Sequence, residues 1–276
     1  MKDAPATNPE ICIVSPCYNH GRYVPEMLES IFAQTFTDYE VVVVDDGSTD
    51  GSAEILESIR DRRVKVFHSE NQGPSAARNR GIRESRAPFV LNLDADDRIA
   101  PTFLEKAHTI FEMFPNAGIV NAEVQFFGAK TGRFALEPYT LEKMLRDNLI
   151  PSTAMFRRSD WERVGGYCGD FVDGLEDYDF WLSIIELGRD VVKIQEDLIY
   201  YRKYNKAEEF RSGKRLRSRK KQMGALSLLF QRHRGLYARE PAAFDRMLRV
   251  IETWQRENFF IGMFKDVKHR IRYAVR

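Results

Sequence analysis

The first hundred residues alternate between short apolar segments and amphipathic segments, and this alternation restricts the folds that the chain can adopt. Apolar runs that suit buried strands stand at Ile11–Ser15, Val41–Val44, Val64–His68 and Phe89–Leu93. Segments with apolar residues at helical spacing alternate with them, at 23–32, 52–60, 74–85 and 101–114. Strand–helix–strand order predicts an α/β fold, with a mostly parallel sheet, right-handed crossovers and helices on both faces.

Four polar loops are predicted to meet at one edge of this sheet. In an open parallel sheet, ligands bind beyond the carboxyl ends of the strands. The loops that follow these ends are SPCYNHG, DDGSTDGS, ENQGPS and DADDR. The first of them lacks the GxGxxG motif, which argues against a dinucleotide-binding fold.

The second half of the chain has a looser pattern. VNAEVQFF and RFAL, joined by GAKTG, predict a hairpin. A helix is predicted over GLEDYDFWLSIIEL, closed by Gly188, and VVKI and LIYYR predict two further strands. The predicted organisation is a flexible tail over residues 1–8, an α/β domain over 9–205 and a basic helical extension over 206–276.

Three acidic residues, Asp94, Asp96 and Asp97, directly follow the fourth apolar run. Asp94 and Asp96 are two positions apart, so in an extended segment their carboxylates lie on the same side. Mg²⁺ and Mn²⁺ accept one or two carboxylates and complete their coordination with water and substrate phosphates. Such an ion would offset the mutual repulsion and act as a Lewis acid for a departing nucleoside diphosphate. The alternative is a solvated acidic loop.

The other loops offer groups that suit a nucleotide. Asp46 ends the second strand, where a carboxylate either binds a base or ribose or simply caps a strand-to-helix turn. Tyr18 offers a ring for stacking on a base, and ordinary packing is the alternative. Arg78 lies one turn inside a helix that begins near Pro74, where a diphosphate would interact with both the guanidinium and the helix N-terminus. The alternative for Arg78 is a solvated face.

Three further acids stand at the start of the helix predicted in the second half. Glu176, Asp177 and Asp179 occupy its first turn, where acids commonly complement the helix dipole. A carboxylate that projects from this turn into a cleft could instead act as a general base, provided that it stays ionised until it accepts the proton.

Taken in order, VSPCYN, VVVVDDGSTDGS, NQGPSAARNRGI, LDADD and LEDYDFWL resemble the family 2 inverting glycosyltransferases. The resemblance covers Ile11 to Arg202 and implies the Rossmann-like A-type nucleotide-sugar fold, with residues 9–205 as the catalytic domain. It implies that Asp94 contacts the ribose, that Asp96 binds Mn²⁺ or Mg²⁺ at the diphosphate, and that Asp177 is the catalytic base. The other implied donor-binding residues are Pro16, Tyr18, Asn19, Asp46, Asn71, Gly73 and Arg78.

The resemblance also implies a reaction. An acceptor hydroxyl would attack the anomeric carbon of a UDP- or dTDP-linked sugar in line, with inversion. The expected acceptor is a hydroxyl of a glycan or of a lipid-linked acceptor, in surface polysaccharide biosynthesis. Two rivals stay open: a nucleotidyltransferase, which is expected to carry a Gly-rich basic loop after its first strand, and a catalytically silent sugar-nucleotide-binding module.

One departure from the family concerns the segment after LIYYR. Many relatives carry a His or a small polar loop near the diphosphate there, whereas this chain reads RKYNKAEEF. The motifs therefore do not identify a third protein ligand of the metal, and Lys203 or Lys206 is a candidate to face the diphosphate.

Charge is distributed unevenly, although the net charge is only +1. Residues 1–201 contain 21 Lys and Arg against 34 Asp and Glu, and residues 202–276 contain 21 against 7. The last segment, NFFIGMFKDVKHRIRYAVR, is basic and amphipathic and suits an anionic membrane surface. The alternative is a helical appendage packed on the catalytic domain or on a second copy in a homo-oligomer. No nucleic-acid motif accompanies the charge, so nucleic acid is not an expected partner.

The cellular expectation comes from three cysteines and the N-terminal segment. Cys12, Cys17 and Cys168 have neither paired nor metal-finger spacing, which suits reduced thiols. The N-terminal segment has no apolar core of a secretory signal, and the sequence has no apolar run of about 20 residues. We therefore expect a cytoplasmic protein, peripheral at the inner face of the membrane if the last segment binds lipid.

Overall fold

The computed structural model describes residues 8–172, 174–205 and 219–256. The strands are β1 Ile11–Cys17, β2 Tyr39–Asp45, β3 Val64–His68, β4 Phe89–Asn92, β5 Arg98–Ile99, β6 Ala117–Gly128, β7 Gly132–Phe134, β8 Met155–Arg157 and β9 Asp190–Lys203. The helices are α1 Val24–Phe32, α2 Ser52–Glu57, α3 Pro74–Arg83, α4 Phe103–Met113, α5 Leu141–Met144, α6 Arg158–Val164 and α7 Glu176–Glu186, followed by Arg219–Arg232, Arg234–Tyr237 and 241–256. The predicted tail over 1–8 lies almost wholly outside the described residues, and the last amphipathic segment lies entirely outside them.

One mixed sheet contains all nine of these strands. Its order is β3-β2-β1-β4-β8-β6-β9-β5, and β7 pairs with β6. The four strands predicted from the first hundred residues are mutually parallel, with Ile11 opposite both Tyr39 and Phe89. β8 runs antiparallel to β4 and β6, whereas β6 and β9 are parallel. The predicted α/β fold with a mostly parallel sheet is therefore confirmed.

The central strands are buried on both faces, as their unbroken apolar runs require. Val41 to Val44 are all fully buried, although alternate residues point to opposite faces. Buried residues of α1 and α4 join the core on the face of Val41 and Val43. On the other face α3 lies so close that a Cβ on Gly81 would come within 2.5 Å of Val14 Cγ1.

This close approach gives a stability prediction. Gly81→Ala should lower the free energy of unfolding by about 1–2 kcal/mol, because overpacking a rigid β-branched neighbour outweighs the gain in helix propensity. The control is Gly169→Ala, since a Cβ there has nothing within 4 Å. Thermal denaturation of both variants checks this, and an unchanged or raised melting temperature for Gly81→Ala would contradict it.

The sequence prediction was wrong about the strands after α7. VVKI and LIYYR are not two strands but parts of the single strand β9, which pairs with β6 along its length. The polar residues between them form an irregularity, where Ile194 lies opposite Ala122 and Asp197 opposite Glu123. The sequence suggested a break there because the intervening residues are polar. In the structure they are exposed and form a β-bulge within a continuous strand. The predicted hairpin is present, as β6 paired with β7.

The chain forms two compact units. The first comprises the described residues up to Tyr139 and those from Asn148 to 205, which include the sheet. The second comprises Thr140–Asp147 and the helical residues 219–256. Within the second unit, Phe230 packs against Tyr237 and Phe244 at ring centroid distances of 5.1 and 5.3 Å. Among the described residues, none of the helices combines the length and apolarity that crossing a bilayer requires.

Candidate active site

The carboxyl ends of β1, β2 and β4 lie side by side and bring the predicted loops together. Asp46 N–H, just beyond β2, donates to the carbonyl of Cys17 at 2.8 Å. Leu93 N–H, just beyond β4, donates to the carbonyl of Val14 at 3.0 Å. The loops after the three strands therefore begin at one edge of the sheet, as expected for a ligand site in an open α/β sheet.

The loop after β1 is fastened to the loop after β2. Asn19 has a left-handed φ of 56°, its N–H donates to Ser48 Oγ at 2.9 Å, and its Oδ1 accepts from Thr49 N–H at 2.8 Å. Gly21 N–H donates to Ser52 Oγ at 2.7 Å. Tyr18 is the most exposed residue of this loop, and Pro16 is half-buried at the end of β1. The amide of Asn19 thus shapes the loop, while the ring of Tyr18 is accessible.

Asp46 joins the loop after β2 to the loop before α3. It is 4% exposed, and its two carboxylate oxygens accept from Gln72 N–H at 2.9 Å and from Gly73 N–H at 2.8 Å. Gly73 has a φ of 88°, which brings its N–H to the carboxylate. Burial raises the pKa of Asp46, and the two N–H groups oppose the shift. Asn71, next to Gln72, is exposed.

A cavity of about 360 Å³ opens beside Asp46. Its wall includes His68 and Arg80 from the carboxyl end of β3 and from α3. His68 Nδ1 lies 3.0 Å from Asp45 Oδ2. The Arg80 guanidinium donates to the carbonyl of His68 and to the hydroxyl of Ser69.

Arg78 is buried among acids and is not on a solvated face. It is 3% exposed, and its guanidinium donates to Asp94 Oδ1 at 2.9 Å and to Glu176 Oε1 at 3.0 Å. Burial acts to lower the pKa of Arg78, but the charges of Asp94 and Glu176 outweigh it and raise the pKa above its ordinary value. One buried cation therefore links the acidic loop after β4 to the first turn of α7.

Tyr167 supports Arg78, and no motif in the sequence pointed to this role. The Arg78 guanidinium lies 5.6 Å from the centroid of the Tyr167 ring, which stacks on Phe180 at 4.0 Å. Asn79 fixes the backbone of Tyr167, since its Nδ2 donates to the carbonyl at 2.8 Å and its Oδ1 accepts from the N–H at 2.8 Å. The Tyr167 hydroxyl also accepts from Asn92 Nδ2.

The three acids after β4 form a compact cluster. Carboxylate oxygens of Asp94, Asp96 and Asp97 lie within 4.8 Å of one another. Asp96 and Asp97 are 5% and 1% exposed, so the alternative of a solvated acidic loop does not describe them. Clustered carboxylate oxygens are the ligands that Mg²⁺ and Mn²⁺ take in proteins, so the donor set fits either ion.

Each acid of the cluster also has a partner in the protein. Asp94 Oδ2 accepts from the Ser152 hydroxyl at 3.3 Å, in addition to the bond from Arg78. Asp97 Oδ1 accepts from Arg202 N–H at 2.9 Å. The Tyr204 hydroxyl donates to Asp96 Oδ2. Burial and then the charge of Asp96 raise the pKa of Tyr204, so the phenol stays protonated and donates.

Arg202, in β9, lies more than one hundred residues after the acidic loop in the sequence and donates hydrogen bonds to it. Its Nε donates to the carbonyl of Asp96 at 2.8 Å. The guanidinium carbon lies 4.4 Å from the ring centroid of Tyr23 and 4.3 Å from that of Phe127. The ammonium of Lys203 lies 4.3 Å from the ring centroid of Phe126, and Lys206 lies outside the described residues.

Asp177 stands in the first turn of α7, next to Glu176. Its Oδ2 accepts from Asn148 Nδ2 at 3.3 Å, and its Oδ1 accepts from Tyr178 N–H at 2.8 Å. Burial and then the charge of Glu176 raise the pKa of Asp177 to about 6, while Arg78 opposes the shift. A carboxylate with this pKa is ionised at neutral pH and is a stronger base than an ordinary aspartate.

The residue before this turn has a backbone that is rare for its type. Leu175 is a non-glycine residue with a φ of 72°, in the left-handed region. It is the N-cap of α7, so this conformation sets the direction in which the first turn leaves the preceding loop. Asp179, the other acid of the turn, is 1% exposed.

A mostly parallel sheet flanked by helices, with polar loops and an acidic cluster at the carboxyl ends of its parallel strands, is the architecture of the A-type nucleotide-sugar transferase fold. The chain belongs to glycosyl transferase family 2, whose model matches residues 12–170. Membership confirms the resemblance given by the sequence motifs.

Similar proteins agree with this assignment. An uncharacterized glycosyltransferase of Haemophilus influenzae is 32% identical over 200 residues, which cover 69% of this chain and 67% of that protein. The crystal structure of Staphylococcus aureus TarS 1–349 in complex with UDP-GlcNAc has a TM-score of 0.68 at 21% identity, covering 81% of this chain and 66% of that one. The mannosyltransferase PcManGT from Pyrobaculum calidifontis, in complex with GDP-Man and Mn²⁺, has a TM-score of 0.56 at 18% identity, covering 92% and 82%.

The two solved structures share the fold at low identity. Several other curated relatives are longer, and the chain spans between 18% and 44% of the length of five of them.

Proposed function

We propose that the chain is a metal-dependent inverting glycosyltransferase, which moves one sugar from a nucleotide-sugar donor to an acceptor hydroxyl. The observation that carries the proposal is the buried guanidinium of Arg78, which bonds to Asp94 in the acidic loop and to Glu176 beside Asp177. The Arg78 guanidinium thereby places the acidic loop, which suits the donor diphosphate, close to Asp177, which suits proton abstraction.

The donor nucleotide would lie along the loops at the carboxyl edge. Asp46, Tyr18 and Pro16 would face the base, Asn19, Asn71 and Gly73 would shape its pocket, and Asp94 would contact the ribose. Arg78 would stabilise the leaving diphosphate, because a positive charge in a buried site interacts strongly with charge that develops on the leaving group. TarS with UDP-GlcNAc and PcManGT with GDP-Man support a nucleoside diphosphate sugar as the donor class. We propose a UDP- or dTDP-linked sugar.

Asp96 would hold a divalent cation, Mn²⁺ or Mg²⁺, with the other two acids of its cluster nearby. When bound, the cation supplies Lewis-acid stabilisation of the departing diphosphate. The Mn²⁺ of PcManGT supports this part of the proposal. Tyr204 and Arg202 would keep the Asp96 carboxylate and its backbone in place, through the bonds described above.

Asp177 would remove the proton from the acceptor hydroxyl as that oxygen attacks the anomeric carbon. The C–O bond to the diphosphate breaks as the new bond forms, and the proton moves to the Asp177 carboxylate. Asn148 and the N–H of Tyr178 would fix the direction of that carboxylate, which matters because alignment contributes strongly to the rate of such transfers.

The acceptor that we propose is a glycan or a lipid-linked acceptor in surface polysaccharide biosynthesis. We further propose that the protein is cytoplasmic and that the basic C-terminal region contacts an anionic membrane surface. The excess of 21 Lys and Arg over 7 Asp and Glu in residues 202–276 supports this contact.

The experiment that tests the proposed function is hydrolysis of nucleotide sugars by the purified chain, with and without Mn²⁺. Release of the free sugar and nucleoside diphosphate that depends on Mn²⁺ is the expected result. Donor binding without turnover would favour the silent binding module. Release of inorganic pyrophosphate from a nucleoside triphosphate and a sugar phosphate would favour the nucleotidyltransferase.

The raised pKa of Asp177 gives a pH prediction for this activity. Only the ionised carboxylate accepts a proton, so activity should fall as the pH drops through about 6. Glu176→Gln should move this fall to lower pH, because it removes the neighbouring negative charge and keeps an oxygen that accepts from Arg78. The control is Glu162→Gln on the exposed surface of α6. A profile of kcat against pH checks the prediction, and an upward shift or no shift for Glu176→Gln would contradict it.

A further inference from the structure

His20, which lies more than seventy residues before the acidic cluster in the sequence, places an imidazole beside it in the fold. It follows Asn19 in the loop after β1, and its side chain is 15% exposed. Its Nδ1 lies 4.0 Å from Asp96 Oδ2, and its Nε2 lies 3.4 Å from the Tyr204 hydroxyl oxygen. The His20 and Tyr204 rings are stacked with centroids 5.9 Å apart. His20 therefore lies between the first loop and the acid that we propose as the metal ligand.

The hydrogen bonds of Tyr204 assign the tautomer of His20. The single hydroxyl hydrogen of Tyr204 is donated to Asp96, so its oxygen accepts from His20. Nε2 of His20 then carries the hydrogen, and Nδ1 presents its lone pair on the side of Asp96. Nδ1 of His20 and Oδ2 of Asp96, 4.0 Å apart, are too far from each other for a hydrogen bond, and each can donate a lone pair to a cation.

We propose that Nδ1 of His20 is a ligand of the divalent cation held by Asp96, with the Tyr204 hydroxyl as the outer partner that fixes the tautomer. The inference rests on the proposed function, which supplies the cation. Two ligand atoms at about 2.1 Å from one ion are about 3.0 Å apart when adjacent and about 4.2 Å apart when opposite. The observed separation of 4.0 Å falls inside this interval. Metal-binding histidines commonly donate their other N–H to an oxygen, as His20 does to Tyr204.

A nitrogen ligand would decide which metal the site prefers. Mg²⁺ takes oxygen ligands and retains its water, whereas transition metals accept imidazole readily. The site should therefore bind Mn²⁺ more tightly than Mg²⁺. His20→Gln should weaken Mn²⁺ binding at least tenfold, because losing even an outer partner of a metal ligand costs about 10–100-fold. It should change Mg²⁺ binding by less than about threefold, since Mg²⁺ can take a water in place of the nitrogen.

The test is Mn²⁺ binding to the full chain, first alone and then with UDP, followed by electron paramagnetic resonance. Electron spin-echo modulation of the bound Mn²⁺ reports nitrogen nuclei that are coordinated to it. We expect nitrogen modulation in the native chain and in the control His68→Gln, which removes an imidazole beside a different carboxylate, that of Asp45. We expect none in His20→Gln. Labelling histidine with ¹⁵N should alter the native signal, and this measurement needs no variant.

The outcomes separate the inference from the proposed function. Bound Mn²⁺ without histidine nitrogen modulation in the native chain, or modulation that persists in a folded His20→Gln variant, overturns the ligand role of His20 and leaves the cation at Asp96 intact. A native chain that binds no Mn²⁺ even with UDP overturns both. If His20→Gln fails to fold, the ¹⁵N-labelled native chain still shows whether a histidine coordinates the ion, and a signal that persists in ¹⁵N-labelled His68→Gln excludes the imidazole beside Asp45.

Discussion

Asp177→Asn is expected to reduce sugar transfer by about 10²–10⁴-fold, the usual contribution of a positioned general base. The asparagine amide has nearly the same shape and can still accept from the N–H of Tyr178, but it cannot take a proton from the acceptor hydroxyl. Donor affinity should stay within about twofold, because Asp177 carries none of the groups proposed to hold the nucleotide. A large fall in kcat with an unchanged KM for the donor is therefore the expected pattern.

The stability of this variant should not fall. Burial and the charge of Glu176 both disfavour the ionised form of Asp177, so replacing it with a neutral group relieves a cost above pH 6. The control is Asp170→Asn, in the exposed part of the loop that precedes α7. Normal transfer by Asp177→Asn would place the base elsewhere, and Asp179 is the next acid of the same turn.

Asp96→Ala is expected to abolish the part of donor binding that depends on Mn²⁺. The carboxylate is the acid of the cluster to which we assign the cation, and the diphosphate would lose its bridging charge. Affinity for UDP with Mn²⁺ present should fall to the value measured with EDTA, and EDTA should have no further effect on the variant. Calorimetric titration of UDP with and without Mn²⁺ checks this.

Folding should survive the change at Asp96, because removing one of three clustered carboxylates lessens their mutual repulsion. Asp96→Asn, which keeps an oxygen that accepts from Tyr204, is a second variant of similar shape. The control is Asp38→Ala, an exposed residue before β2. An unchanged affinity for UDP with Mn²⁺ would show that Asp96 does not hold the cation.

The local pattern of the sequence was enough to predict the framework of the site. Apolar runs such as Val41–Val44 are long and β-branched, and a polar loop follows each of them, so strand order and loop position both came from local pattern. Asp46 and Asp94 could be placed at the sheet edge for this reason. The family motifs then assigned roles that local pattern left open.

The residues of the site that could not be predicted from the sequence are brought there by contacts between segments that are far apart in the chain. Arg202 and Tyr204 depend on the register of β9 against β6, which includes a bulge. His20 resembles any polar residue of a loop until Tyr204 is known to stand beside it. Tyr167 matches no motif in the sequence, and its contact with the Arg78 guanidinium becomes visible only in the folded chain. Long-range packing decides such positions, and no local periodicity encodes them.

The bonds from Arg202 to the acidic loop have a consequence for biosynthesis. Residues 96–97 and 202 are separated by more than one hundred positions, and contacts of this span form slowly because a long loop must close first. A nascent chain that has released only the first four strands from the ribosome carries the three carboxylates with Arg78 beside Asp94, but without the main-chain N–H and the guanidinium of Arg202. The cation affinity that we propose for the cluster should therefore reach its final value only after the ninth strand has emerged from the ribosome and paired with β6.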